Sequence, residues 1–120
     1  MESNNISKYY HEEIALVRVT IQHSVLSDKE KTKLLKQLDP LETKDLSTFE
    51  SFYNEIVFAQ ASISSGMARL YWRQMELHYN LLILNLLEDN LFQPAINILK
   101  DYPTIMQKTM HKLLMTIDLG

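Results

Sequence analysis

The chain has 120 residues, of which 46% are hydrophobic, with 2 glycines, 3 prolines and no cysteine. The length predicts one helical domain over residues 1–120, and the missing cysteine excludes disulfides, thiolate catalysis and cysteine-based zinc sites. With 12 basic and 15 acidic residues, the chain has a net charge of −3. It therefore lacks the excess of basic residues that nucleic-acid-binding proteins use, and nucleic acid is disfavoured as a partner.

Glycine and proline are scarce while leucine and lysine are common, which favours helices joined by short loops. We therefore predict an all-α fold, a compact antiparallel helical bundle of five to six helices. The N-terminal sequence MESNNISKYY has no basic segment followed by an apolar run, so no signal peptide is predicted. The longest apolar run has about seven residues, against about 20 for a membrane span. We expect a cytoplasmic protein.

The first helix is predicted over about 7–26, with an apolar stripe formed by Tyr10, Ile14, Val17, Ile21 and Val25.

The second helix is predicted over 28–38. Ser27 and Glu30 form a capping-box pattern that would begin it. Asp39-Pro40 should end it, because proline disfavours helical backbone in the residue before it. Residues 40–46 are then a linker.

A second capping-box pattern, from Ser47 to Glu50, predicts the start of a third helix. The residues expected on its apolar face are Phe49, Phe52, Tyr53, Ile56, Ala59 and Ile63. Residues 62–66 have low helix propensity and predict a break. The alternative is one continuous helix over 47–90, with Gly66 as a point of close packing.

A central apolar helix is predicted near 67–89. The run from Leu81 to Leu87 is interrupted only by Asn85, and a helix that is apolar all round is buried on all sides or forms an interface. Asn85 either lies buried in an apolar seam or occupies the hydrated edge of the helix. Asn90 follows a polar stop and can adopt the left-handed conformation beyond a helix end.

Two prolines divide the C-terminal part into two predicted helices. Pro94 suits the first turn of a short helix over 94–101, and Pro103 would start the last one. The stripe of that last helix is Met106, Met110, Leu113 and Ile117.

The N-terminal half of the central helix carries the strongest candidates for partner binding. Tyrosine and tryptophan combine a large apolar area with a polar tip and are enriched at protein interfaces. Methionine adapts to surfaces that repack around partners. The predicted partner-binding residues are Tyr71, Trp72, Met75 and Tyr79, with Met106 and Met110 next.

Arg73 and His78 are separated by four residues, and the segment RQMELH resembles the motif of the HEPN ribonucleases. Those are small helical domains that dimerise to pair two such motifs around RNA. The resemblance implies that His78 would act on the ribose hydroxyl or leaving group while Arg73 stabilises phosphate charge. The alternative is that both are polar residues at the rim of an apolar helix.

Lys29, Lys33 and Lys36 share one face of the second helix, which admits a helical DNA-binding regulator as a third hypothesis. The four histidines form neither a Glu-x-x-His pair nor a His-Glu-x-x-His motif, so no metal site is predicted. No pattern indicates a cofactor or a small-molecule substrate.

The leading hypothesis is a non-enzymatic interaction module, a small regulator, adaptor or chaperone-like subunit. It would bury apolar helix surface against a protein partner or against itself as a dimer.

Overall fold

The computed structural model describes residues 2–59 and 65–119, and this part of the chain consists of five helices without a strand. They are α1 (Glu2–Gln22), α2 (Asp28–Glu42), α3 (Ser47–Ala59), α4 (Ser65–Glu88) and α5 (Phe92–Leu119). The all-α prediction is confirmed.

Helix α1 buries most of its predicted stripe: Tyr10, Ile14, Val17 and Ile21 all lie in the core. The prediction for Val25 is wrong, since this residue is fully exposed in the loop after the helix. The reason lies at Ser24, whose backbone N–H and hydroxyl both donate to the Ile21 carbonyl, at 3.1 and 2.7 Å. A serine that bonds locally to the backbone competes with the helical ladder.

Helix α2 begins as predicted, with the Glu30 N–H donating to the Ser27 hydroxyl at 3.2 Å. Its predicted end is wrong, because the helix continues through Pro40 to Glu42. Proline removes one helical hydrogen bond, but here only the final turn is affected. Burial of Leu41 and an ion pair between Arg18 of α1 and Glu42 stabilise that turn.

Helix α3 starts at the predicted residue through a different contact. The Ser47 N–H donates to the Asp45 carboxylate at 2.8 Å, and the Glu50 carboxylate accepts a hydrogen bond from the Ser7 hydroxyl of α1. Glu50 thus joins two helices instead of completing a capping box. Ile63 and most of the predicted break at 62–66 lie outside the described residues. A Cβ at Gly66 would meet nothing within 4 Å, so Gly66 is not a point of close packing.

Helix α4 ends as predicted, with Asn90 in the left-handed conformation just beyond it. Asn90 has a φ of 62°, in the left-handed region. The Leu91 N–H donates to the Leu86 carbonyl at 2.8 Å and the Asn90 N–H to the Leu87 carbonyl at 3.0 Å. These two bonds form a Schellman motif, which satisfies the last carbonyls and turns the chain into α5.

Helix α5 is continuous through Pro103, so the predicted division at 101–103 is wrong. Leu99, Tyr102 and Met106 are fully buried on both sides of the proline, and this packing outweighs one lost hydrogen bond. A helix of 28 residues is about 42 Å long. The molecule accordingly measures 54 × 25 × 20 Å.

Aromatic side chains connect four of the five helices in the core. The centroid of the Trp72 ring of α4 lies 4.9 Å from the ring centroid of Phe49 and 4.3 Å from that of Tyr53, both on α3. The ring centroid of Tyr102 of α5 lies 5.7 Å from that of Tyr10 of α1 and 6.0 Å from that of Tyr79 of α4. Trp72 is the largest fully buried side chain.

Within the described ranges, none of the helices combines the length and the apolar character needed to cross a membrane.

We expect Trp72→Ala to lower the free energy of unfolding by about 3–5 kcal/mol, because it removes a fully buried ring and leaves a cavity. Phe58→Ala on α3 is the control, and the loss of its 84% exposed ring should cost about 1 kcal/mol or less. Urea denaturation followed by circular dichroism measures both. Equal losses in the two variants would contradict the packing described for α4.

Candidate functional site: the exposed leucine face of α4

Helix α4 has two apolar faces, and the chain covers only one of them. Trp72, Ile83 and Leu87 are buried against the other helices. On the opposite side, Leu70, Leu77, Leu81 and Leu84 are 50%, 59%, 49% and 36% exposed. Of the two alternatives for this helix, the structure excludes burial on all sides within the monomer.

The exposed leucines follow a regular spacing. Together with two polar residues they form a row whose members are alternately four and three positions apart. We call this row the leucine face: Leu70, Gln74, Leu77, Leu81, Leu84 and Glu88. Alternating steps of four and three are the seam of a coiled coil, in which each side chain packs into a hole on a facing helix. Contiguous exposed apolar surface of this kind marks interaction sites.

The structure divides the predicted partner-binding residues into two groups. Trp72, Met106 and Met110 are completely buried, so none of them presents surface to a partner in this conformation. They are core residues because the helical faces that carry them meet the other helices. Met75 and Tyr79 are half-buried and pack against the core.

Two residues flank the leucine face on the same side. Tyr71 is half-buried, and Asn85 is exposed. Of the two interpretations of Asn85, the structure therefore supports the hydrated edge.

Arg73 and His78 are both exposed, but they point in different directions from α4. Side chains five positions apart on an α-helix differ by about 140° in direction around the helix axis. Arg73 lines a cavity of about 220 Å³ with Tyr9, Glu76 and Asn80, whereas the His78 ring contacts Tyr79 edge-on at 5.4 Å. The two side chains therefore leave α4 on different sides.

The lysines of α2 lie together, as their spacing predicted. Lys29, Lys33 and Lys36 are exposed and line an open depression with Thr32 and Asp28, whose carboxylate offsets part of the positive charge. Among the described residues, no group of three or more histidine, aspartate or glutamate side chains could hold a metal ion.

Sequence reasoning missed a buried acidic cluster between α1, α4 and α5. Glu13 lies well inside α1, which begins at Glu2, and is buried. Glu76 of α4 is also buried. Burial raises the pKa of Tyr102, and the charges of Glu76 and Glu13 raise it further, so the three groups are close enough to interact. The signal was the position of Glu13 three residues after Tyr10, on the buried side of α1.

Within this cluster, the pKa of the Glu13 carboxyl group is shifted towards neutral pH. Burial, followed by the charge of the neighbouring Glu12, raises its pKa from 4.5 to about 7. A buried carboxyl group favours its neutral form because the low-dielectric interior solvates charge poorly.

No protein-family model matches the chain, and neither curated proteins nor solved structures show significant similarity to it. The geometry of α4 and its surroundings is therefore the basis on which a function can be inferred.

We expect the contribution of Glu13 to the free energy of unfolding to fall as the pH rises from about 4.5 to about 7. The raised pKa of Glu13 means that the folded state binds a proton that the unfolded state has released, so its contribution is lost as the pH passes about 7. Glu13→Gln should remove on the order of 1–2 kcal/mol of this pH dependence.

Urea denaturation at several pH values measures the effect. Glu55→Gln, an exposed change on α3, is the matched control and should leave the pH dependence unchanged. An identical pH profile for Glu13→Gln and the wild-type protein would contradict the role of Glu13.

Proposed function

We propose that this protein is a non-enzymatic interaction module, a small cytoplasmic regulator, adaptor or chaperone-like subunit that acts through the leucine face of α4. The observation that supports this proposal is the row of exposed leucines at coiled-coil spacing on one continuous helix. A facing helix that inserts its own apolar side chains between them would cover this surface.

The leucine face offers a useful but moderate amount of binding energy. Burying a whole leucine side chain contributes about 1.5–3 kcal/mol, and each of these residues has roughly half of its surface still exposed. Each leucine can therefore contribute about 1 kcal/mol. Association itself costs several kcal/mol in lost freedom of motion, so a single leucine face supports binding of regulated, reversible strength.

Polar residues at the edges of the leucine face would supply specificity. Arg73 and Asn85 are exposed beside it, and Glu88 is exposed at its C-terminal end. An apolar centre with a polar rim is the usual anatomy of a protein interface. The buried side of α4 cannot take this role, because α1, α3 and α5 already cover it.

We expect the double substitution Leu77→Glu and Leu81→Glu to abolish capture of the physiological partner by tagged protein. Two charges would enter the centre of the apolar row and would have to be desolvated on binding. Quantitative mass spectrometry of captured proteins measures the loss. Phe58→Glu is the control, since Phe58 of α3 is even more exposed at 84% but lies outside the leucine face. Undiminished capture by the double variant would refute the proposal, provided that its circular dichroism matches the wild type.

A second measurement separates this function from the ribonuclease alternative. Under the interaction proposal, His78→Ala should leave partner capture nearly unchanged, and the wild-type protein should not cleave RNA. Cleavage of single-stranded RNA by the wild type that is lost in His78→Ala and in Arg73→Ala would favour the ribonuclease alternative instead.

A further inference from the structure

We propose that the occupant of the leucine face is a second copy of this chain, whose α4 packs antiparallel along the first. This inference rests on the proposed function and names its partner. Self-association of this kind has twofold symmetry, so the same surface is used on both copies and the assembly closes as a dimer.

The centre of the leucine face is complementary to its own reversed copy. In an antiparallel pair, the residue at one position of the seam lies level with the complementary position of the other helix. With the twofold axis near residue 79, Leu77 lies level with Leu81 of the second copy. Gln74 then lies level with Leu84, and Leu70 with Glu88. Only the Leu77–Leu81 pairs at the centre are apolar on both sides, and each outer pair sets a leucine against Gln74 or Glu88 towards the ends of the seam.

The charges on α4 favour the antiparallel arrangement. Arg69 and Arg73 are exposed in its N-terminal half, where the acidic residue Glu76 is buried. Glu88 at the end of the helix and Asp89 just beyond it are exposed. An antiparallel pair places each positive end beside a negative end. A parallel pair would place Glu88 beside Glu88 and Arg73 beside Arg73, which is repulsive.

The helix dipoles also favour the antiparallel arrangement. Each helix has a partial positive charge at its N-terminus and a partial negative charge at its C-terminus, and antiparallel packing pairs opposite ends.

The same arrangement gives Tyr71 a partner. Tyr71 and Asn85 flank the leucine face on one side. With the twofold axis near residue 79, Tyr71 lies level with residue 87 of the second copy, and Asn85 of that copy is two positions, about 3 Å, along the helix. A tyrosine can cover apolar surface with its ring while its hydroxyl bonds to a polar neighbour. Tyr71 is thus a predicted partner-binding residue that the dimer would use.

The seam from Leu70 to Glu88 extends over about 27 Å. A single pair of helices of this length forms an interface at the small end of the range for specific complexes. We therefore expect a dimer that dissociates in the micromolar range.

Sedimentation equilibrium of the whole chain tests the proposal. The wild-type protein should be dimeric at about 100 µM and increasingly monomeric below the micromolar range. The double change Leu77→Glu and Leu81→Glu should raise the dimer dissociation constant at least about 100-fold. Phe58→Glu should leave it unchanged. A wild-type protein that stays monomeric at about 100 µM, or a double variant that dimerises as tightly as the wild type, would overturn the inference.

Charge reversal tests the direction of the helices. Arg73→Glu or Glu88→Arg alone should weaken the dimer about tenfold, because each places like charges together in an antiparallel pair. The two changes combined should restore most of the affinity, since every opposite-charge pair is rebuilt. A parallel pair predicts no such restoration.

Cysteine cross-linking gives a second, independent measure of direction, because the natural chain has no cysteine. In the antiparallel dimer, two Leu70→Cys residues lie about 27 Å apart and cannot form a disulfide. Leu70→Cys mixed with a tagged Glu88→Cys chain should cross-link on oxidation. Efficient cross-linking of Leu70→Cys with itself would contradict the antiparallel arrangement.

The two proposals fail in different ways. If the wild type is monomeric but the double leucine variant loses capture of another protein, the self-association is wrong while the interaction function stands. If the protein dimerises and the double variant still dimerises, the leucine face is not the dimer surface.

Discussion

The packing of Trp72 against Phe49 and Tyr53 is the contact on which the rest of the molecule depends, because it decides which side of α4 faces inward. Helix α4 is apolar on two sides, so hydrophobicity alone does not choose between them. The indole ring is the largest side chain on the helix, and only the core provides an aromatic surface large enough to cover it. Once the ring is buried, helical geometry places Leu70, Leu77 and Leu81 on the outside.

The same core carries a polar constraint. Glu13 and Glu76 are buried beside Tyr102, in a protein that could have filled this space with leucine. A carboxyl group in the interior remains neutral or needs a partner, so it contributes less to stability than an apolar residue of similar size. Its presence couples the packing of α1, α4 and α5 to pH. The outer surface of α4 and this cluster lie on opposite sides of the same helix, so anything that shifts α4 affects both.

Two prolines show how tertiary contacts override local preference. Pro40 and Pro103 each remove a helical hydrogen bond, and both lie inside helices. Buried side chains lie on both sides of each: Leu38 and Leu41 around the first, Tyr102 and Met106 around the second. The continuity of α5 has a structural consequence, since it gives the molecule a length of 54 Å and lets a single helix contact the other four.

The sequence by itself determined the helical class, the start of α2 at Ser27, the end of α4 at Asn90 and the inward stripe of α1. These features depend on neighbours along the chain, namely capping groups and the spacing of apolar residues. Only the tertiary structure decided which apolar face of α4 is covered and that Trp72, Met106 and Met110 belong to the core. It also decided that Glu13 is buried and that both prolines lie within helices. Each of these depends on which helices pack together, and residues distant in the sequence set that packing.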